Sequence, residues 1–148
     1  LNAQTNKEDV DLIQALYGKE KKALVSEYMK FIAPDSTKFW TLYDQYESDR
    51  KALGRERISL LEQLATDFTK MDNKKAEGLL NKFIDLNSKY AQFQKKYVPK
   101  FSAAVGGIQT AKFFQLENYL ETAIRLAIQD EIPAIGSLEN VKKDLPKH

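Results

Sequence analysis

Apolar residues recur every three or four positions along nearly the whole chain, and no stretch alternates with the period of two that marks a strand. The pattern predicts an all-α protein, a four-helix elongated bundle. The segment "EDVDLIQALYGKEKKALVSEYMKF" places Ile13, Leu16, Tyr17, Leu24, Tyr28 and Phe31 roughly on one side of a first helix, divided or bent at Gly18. "APDST" marks its end, with Pro34 suited to a first helical position and Asp35 to the positive end of the next dipole. Long helices are predicted over about 34–70 and 73–105, and a fourth over about 109–132. "MDNKK" separates the first two, with Asp72 or Asn73 as N-cap, while Pro99 should kink the third helix and Gly106-Gly107 stop it. Residues 1–135 read as a single helical domain and 136–148 as a polar C-terminal tail.

The two central helices can be aligned against each other. Ala76, Leu79, Phe83, Leu86, Tyr90, Phe93 and Tyr97 alternate steps of three and four, which makes a heptad seam. Phe39, Tyr43, Tyr46, Arg50, Leu53, Arg57, Leu60 and Leu64 form the matching seam. A short connection forces an antiparallel hairpin, and one register pairs Leu64 with Leu79, Leu60 with Phe83, Leu53 with Tyr90 and Tyr46 with Tyr97. The same register sets Asp49 against Lys96, Glu56 against Lys89 and Gln63 against Lys82. Core and flank select one hairpin independently.

In "FFQLENYLETAIRLAI", winding at about 100° per residue aligns Phe113, Leu116, Leu120, Ile124 and Ala127 in one stripe. Glu117 falls inside it, and Arg50 and Arg57 fall inside the apolar seam of the second helix. Each charge is costly when buried alone and far less so when paired, and Arg can fork onto a carboxylate. The expectation is a buried ion cluster in which Glu117 bridges Arg50, Arg57 or both and fixes how the fourth helix docks. The other reading of the same three residues is a cationic pocket for a small anionic ligand, or a perturbed acid. Trp40 and Ile58 lie to one side of the seam, either against the first helix or, with Phe114, on a surface for a partner or a second copy.

Composition narrows the chemistry. The 148 residues are 30% charged with a net charge of only +2, interspersed, so no strong pull toward nucleic acid follows. The stripe Lys75, Lys82, Lys89, Lys96 already faces acidic partners in part. Without Cys there is no disulfide or thiolate metal site, and the single His148 stands at the terminus, so no His-based triad or zinc motif can be written. "EDVD" at residues 8–11 reads as dipole compensation. No metal, cofactor or catalytic residue is expected, and no run is long and apolar enough to span a membrane. The start "LNAQ" is either an artificial beginning or a mature end left by signal peptidase after Ala3.

"FWTLYDQYESDRKALGRERISLLEQLA" and "AKFFQLENYLETAIRLAIQDEIPAI" resemble a family of uncharacterised exported bacterial all-helical proteins. The layout of residues 10–135 is more distantly similar to the periplasmic Spy/CpxP-like stress proteins. The Leu-Thr-x-x-Gln signature of that group is replaced by "IAPDS" and "IQTAK". The resemblance implies a non-enzymatic, exported or periplasmic, chaperone-like module that binds unfolded or partner polypeptides, with a homodimer as a further expectation. A cytoplasmic location is the alternative.

Overall fold

The computed structural model describes residues 21–32, 34–67 and 70–131, together with Pro146. Among the described residues the chain is all-α, with four helices and no strand. They are α1 (21–29 of it described), α2 (Asp35–Asp67), α3 (Asn73–Val105) and α4 (Gly107–Glu131). The expectations for Ile13, Leu16, Tyr17 and Gly18, for "EDVD", for Ala3, and for His148 and nearly all of the 136–148 tail lie outside the described residues. At 33 residues each, α2 and α3 span roughly 50 Å.

Local chemistry accounts for the turns. Asp72 caps α3, its Oδ1 accepting from the Lys75 N–H at 2.7 Å. α3 and α4 are joined through Gly106 alone, which sits at φ +85° and donates its N–H to Ser102 O at 2.9 Å. A left-handed residue is what this stop requires, and Gly adopts it without steric cost. Thr110 then closes the first turn of α4, its hydroxyl and N–H both reaching Gly106 O. Lys30, at φ +50°, turns the chain out of α1.

One boundary differs from the sequence expectation. α2 is helix through Asp67, and residues 68–69 before the expected end at Lys70 lie outside the described residues. α3 runs through Pro99 from Asn73 to Val105, the span expected for it. α4 opens at Gly107, earlier than 109, because one glycine suffices for the reversal.

The core has two parts. Val25, Met29, Phe39, Tyr43, Tyr46, Tyr97, Phe101 and Phe113 form an aromatic cluster drawn from all four helices. Leu60, Leu79 and Leu86, backed by Leu53, Leu64, Met71 and Phe83, form an aliphatic one between α2 and α3. The hairpin register holds: Tyr46 and Tyr97 rings lie 5.2 Å apart, and Lys89 pairs with Glu56 at 3.2 Å. α4 runs parallel to α2, since Tyr46–Glu117 and Arg50–Glu121 share one residue offset of 71. Between the two apolar clusters, at the level of Glu47 and Arg50, lies a layer of charge.

The inward face of α1 is a correction. Lys21, Val25 and Met29 point into the bundle, while Leu24 and Tyr28 are exposed. The i, i+4, i+8 spacing of the first three is one helical stripe, rotated by one residue from the expected face.

Candidate functional site

Five ionisable side chains are buried together where α1, α2 and α4 meet. α1 supplies Lys21, α2 supplies Glu47 and Arg50 one turn apart, and α4 supplies Glu117 and Glu121 one turn apart. Glu117 is 0% exposed and Lys21 2%. The Lys21 ammonium stands 2.6 Å from Glu47 Oε1, and 2.8 and 2.7 Å from Glu117 Oε1 and Oε2, so it straddles one carboxylate and touches another. Tyr46 donates its hydroxyl to Glu117 Oε1 at 3.0 Å. Arg50 forks onto Glu47, Nε to Oε1 at 3.0 Å and Nη2 to Oε2 at 3.1 Å, and its Nη1 reaches Glu121 Oε2 at 3.4 Å. Arg125 closes the series 3.7 Å from Glu121, with its guanidinium 4.8 Å over the Tyr90 ring.

Glu117 is therefore buried as its place in the apolar stripe predicts, but its partners differ. Lys21 and Tyr46 hold it, and neither Arg50 nor Arg57 bridges to it. Arg50 belongs to the same cluster and serves Glu47 and Glu121. Arg57 stands apart, donating Nη2 to Asn87 Oδ1 at 2.8 Å. Burial first, and then the Arg125 charge, lower the Arg57 pKa from its ordinary value. The Arg50 fork is occupied by carboxylates of Glu47 and Glu121. The cluster is a three-helix lock.

Trp40 stands against α1, the first of the two places expected for it, while Ile58 and the half-buried Phe114 pack inward. Ile58 is buried. Trp40 meets Phe39 and Tyr43 edge-on, with Lys22 of α1 5.3 Å over its ring. Phe114 packs on Tyr46, Phe101 and Phe113.

Glu47, Glu121 and Lys21 escaped the sequence reading, although signals were present. Glu121 repeats the stripe position of Glu117 one turn on, and Glu47 sits one turn before Arg50. Lys21 shares a stripe with Val25 and Met29, but it is embedded in the charged run "KEKK" and looks solvated.

The electrostatics follow from the count of charges. Among the five buried groups two cations, Lys21 and Arg50, face three carboxylates, and the more exposed Arg125 approaches only Glu121, at 3.7 Å. Burial raises the Glu117 pKa above its ordinary 4.5, opposed by Lys21 and reinforced by Glu47 and Glu121. Burial also pushes Glu47 upward, but the Lys21 and Arg50 charges and hydrogen bonds outweigh it and hold this carboxyl below its ordinary value. Burial, then Glu117, drive the Tyr46 hydroxyl far above its ordinary range, so it remains a donor. The Tyr43 hydroxyl, buried nearby, has no hydrogen-bond partner among the described residues.

These shifts predict a pH dependence of opposite sign for the two acids. Glu117 binds a proton more tightly folded than unfolded, so its contribution is complete below pH 4.5 and is lost as pH rises toward the raised value. Glu47 contributes above its ordinary value and loses that contribution as pH falls through its lowered one. Urea unfolding of wild type and Glu117→Gln across pH 4.5–7.5 should show a falling slope in wild type only. One proton limits that slope to about 1.4 kcal/mol per pH unit. A constant difference between the two proteins across this range would contradict the surplus-carboxylate account.

Among the described residues, no His, Cys, Asp and Glu group is arranged to hold a metal ion. No helix among them is long and apolar enough to cross a membrane. No family model, no curated protein and no solved structure matches this chain.

Proposed function

We propose that the protein is a non-enzymatic helical binding module of the bacterial envelope, which holds apolar segments of other polypeptides in a chaperone-like way. The observation that carries this reading is an open groove of about 480 Å³ between α1 and α4. Leu24, Tyr28, Leu116, Tyr119 and Leu120 line it, with Glu27 and Lys30 also at its wall. Exposed apolar side chains that could have been buried by a one-residue rotation of α1 are held outward because Lys21 is drawn inward by two carboxylates. The charged lock and the apolar groove are thus two faces of one helix orientation. A groove with an apolar lining and one charge of each sign suits short apolar stretches of varied sequence better than a fixed polar ligand.

Aggregation of a chemically unfolded client, followed by light scattering, tests the reading. The wild-type protein should suppress it at near-stoichiometric ratio. Leu24→Asp with Tyr28→Asp should raise the required ratio about tenfold, as expected when central apolar anchors are lost. Absence of suppression by wild type, or equal suppression by the variant, would refute it.

A further inference from the structure

Between Gly107 and Leu126, α4 turns most of its charges away from solvent. Of the residues Gly107–Leu126 only Lys112, Glu117, Glu121 and Arg125 are charged. Glu117 and Glu121 are buried, Arg125 stacks on Tyr90, and half-buried Lys112 lies 4.7 Å over the Tyr28 ring. The face turned to solvent instead carries Ile108 at 86% exposure, Tyr119 at 73% and Leu126 at 57%, with Ala111, Gln115 and Ala123 exposed between them. A surface helix ordinarily has the opposite polarity. α3, by contrast, shows the solvent Lys82, Lys89, Lys95 and Lys96, all exposed.

We propose that this face of α4 pairs with the same face of a second copy of the chain, antiparallel, across a two-fold axis passing near residue 117. Read outward from that position, the exposed residues match in kind. Ile108 faces the second copy's Leu126, Ala111 faces its Ala123, and Gln115 faces its Tyr119. An isologous contact needs this self-complementarity, because each residue meets its counterpart's partner twice. The steps 108, 115, 119 and 126 are seven, four and seven apart, which keeps them on one antiparallel helix seam.

Charge and area point the same way. A face bearing several charges of one sign would repel its own copy. Here Lys112 falls opposite Thr122, about 15 Å along the axis from the other Lys112 at 1.5 Å per residue. Alanines at 111 and 123 let the two backbones approach, and Gln115 offers a polar partner to the Tyr119 hydroxyl taken from water. Ile108, Tyr119 and Leu126, exposed at 86%, 73% and 57%, supply the large apolar area that such a pairing would remove from water.

Sedimentation equilibrium of the full chain tests the pairing and its register. Wild type should sediment at twice 17.0 kDa. Ile108→Lys with Leu126→Lys places like charges opposite each other and should weaken the dimer at least about a hundredfold. Ile108→Lys with Leu126→Glu places opposite charges together and should return the affinity to within about tenfold of wild type. Both positions are exposed, so circular dichroism should find all three proteins equally helical. A wild-type monomer up to about 1 mM overturns the proposal, and so does a dimer indifferent to the first variant. A second variant no better than the first overturns it as well. A wild-type monomer whose α4 face is covered only when a client polypeptide is added would give the face to that client and also overturn it.

Discussion

Lys21→Met is expected to destabilise the protein by about 3–5 kcal/mol, the range found when one partner of a buried ion cluster is removed. Met keeps much of the volume and all of the apolar character of the Lys stem, so the loss is electrostatic. Glu47 retains the Arg50 fork after the change, but Glu117 retains only the Tyr46 hydroxyl. Protonation of Glu117 limits the damage, and the variant should therefore be relatively more stable at acidic pH. Urea unfolding at neutral pH gives the measurement. Combining Lys21→Met with Glu117→Gln should recover part of the loss, with a coupling of about 1–3 kcal/mol. The parallel cycle on Arg57→Met and Glu117→Gln should couple by less than about 0.5 kcal/mol, since Arg57 bonds Asn87 instead. A cost below about 1 kcal/mol for Lys21→Met would mean that its ammonium is solvated, like an ordinary surface pair.

The α2–α3 hairpin was legible because two kinds of position had to agree on it. Its seam residues are large and regularly spaced, and its flanks carry complementary charge, so a slipped register fails on both counts. Two flanks still came out differently, the first with Gln63 donating to Ser59 Oγ at 3.4 Å within its own helix. Asp49 accepts from the Tyr97 hydroxyl and not from Lys96. Lys96 is exposed, where solvation makes a protein partner unnecessary, whereas the hydroxyl of buried Tyr97 needs an acceptor. Glu117 could be placed inside because its neighbours on α4 fix its direction. Its partner could not, because α1 offers two faces of comparable apolar content. Leu24 and Tyr28 outweigh Val25 and Met29 by size, and only the demand of Glu47 and Glu117 for a cation decides between the two. That demand comes from helices distant in sequence. A charged residue chosen by long-range electrostatics leaves no local periodic mark.

Phe113→Ala should cost about 3–5 kcal/mol, comparable to the loss of Lys21 but for a different reason. Phe113 is fully buried at the point where α4 meets α2 and α3. Its ring lies 5.3 Å from Phe39, 5.7 Å from Tyr46 and 4.8 Å from Phe101, the first two edge-on. Truncation removes the ring contacts and leaves a cavity whose walls are themselves rings with little freedom to collapse. It also removes the apolar cover one turn before Glu117, which exposes the carboxylate to water and relaxes the upward pull on its pKa. Two readouts follow from one substitution. The melting temperature should fall by roughly 6–20 °C, at about 2–4 °C per kcal/mol for a chain of this size. The acid-side slope assigned to Glu117 should shrink at the same time. Phe113→Leu, which fills more of the space, should keep most of both. If Phe113→Ala lowered stability but left the pH slope intact, the burial of Glu117 would depend on the ion cluster alone and not on the aromatic packing above it.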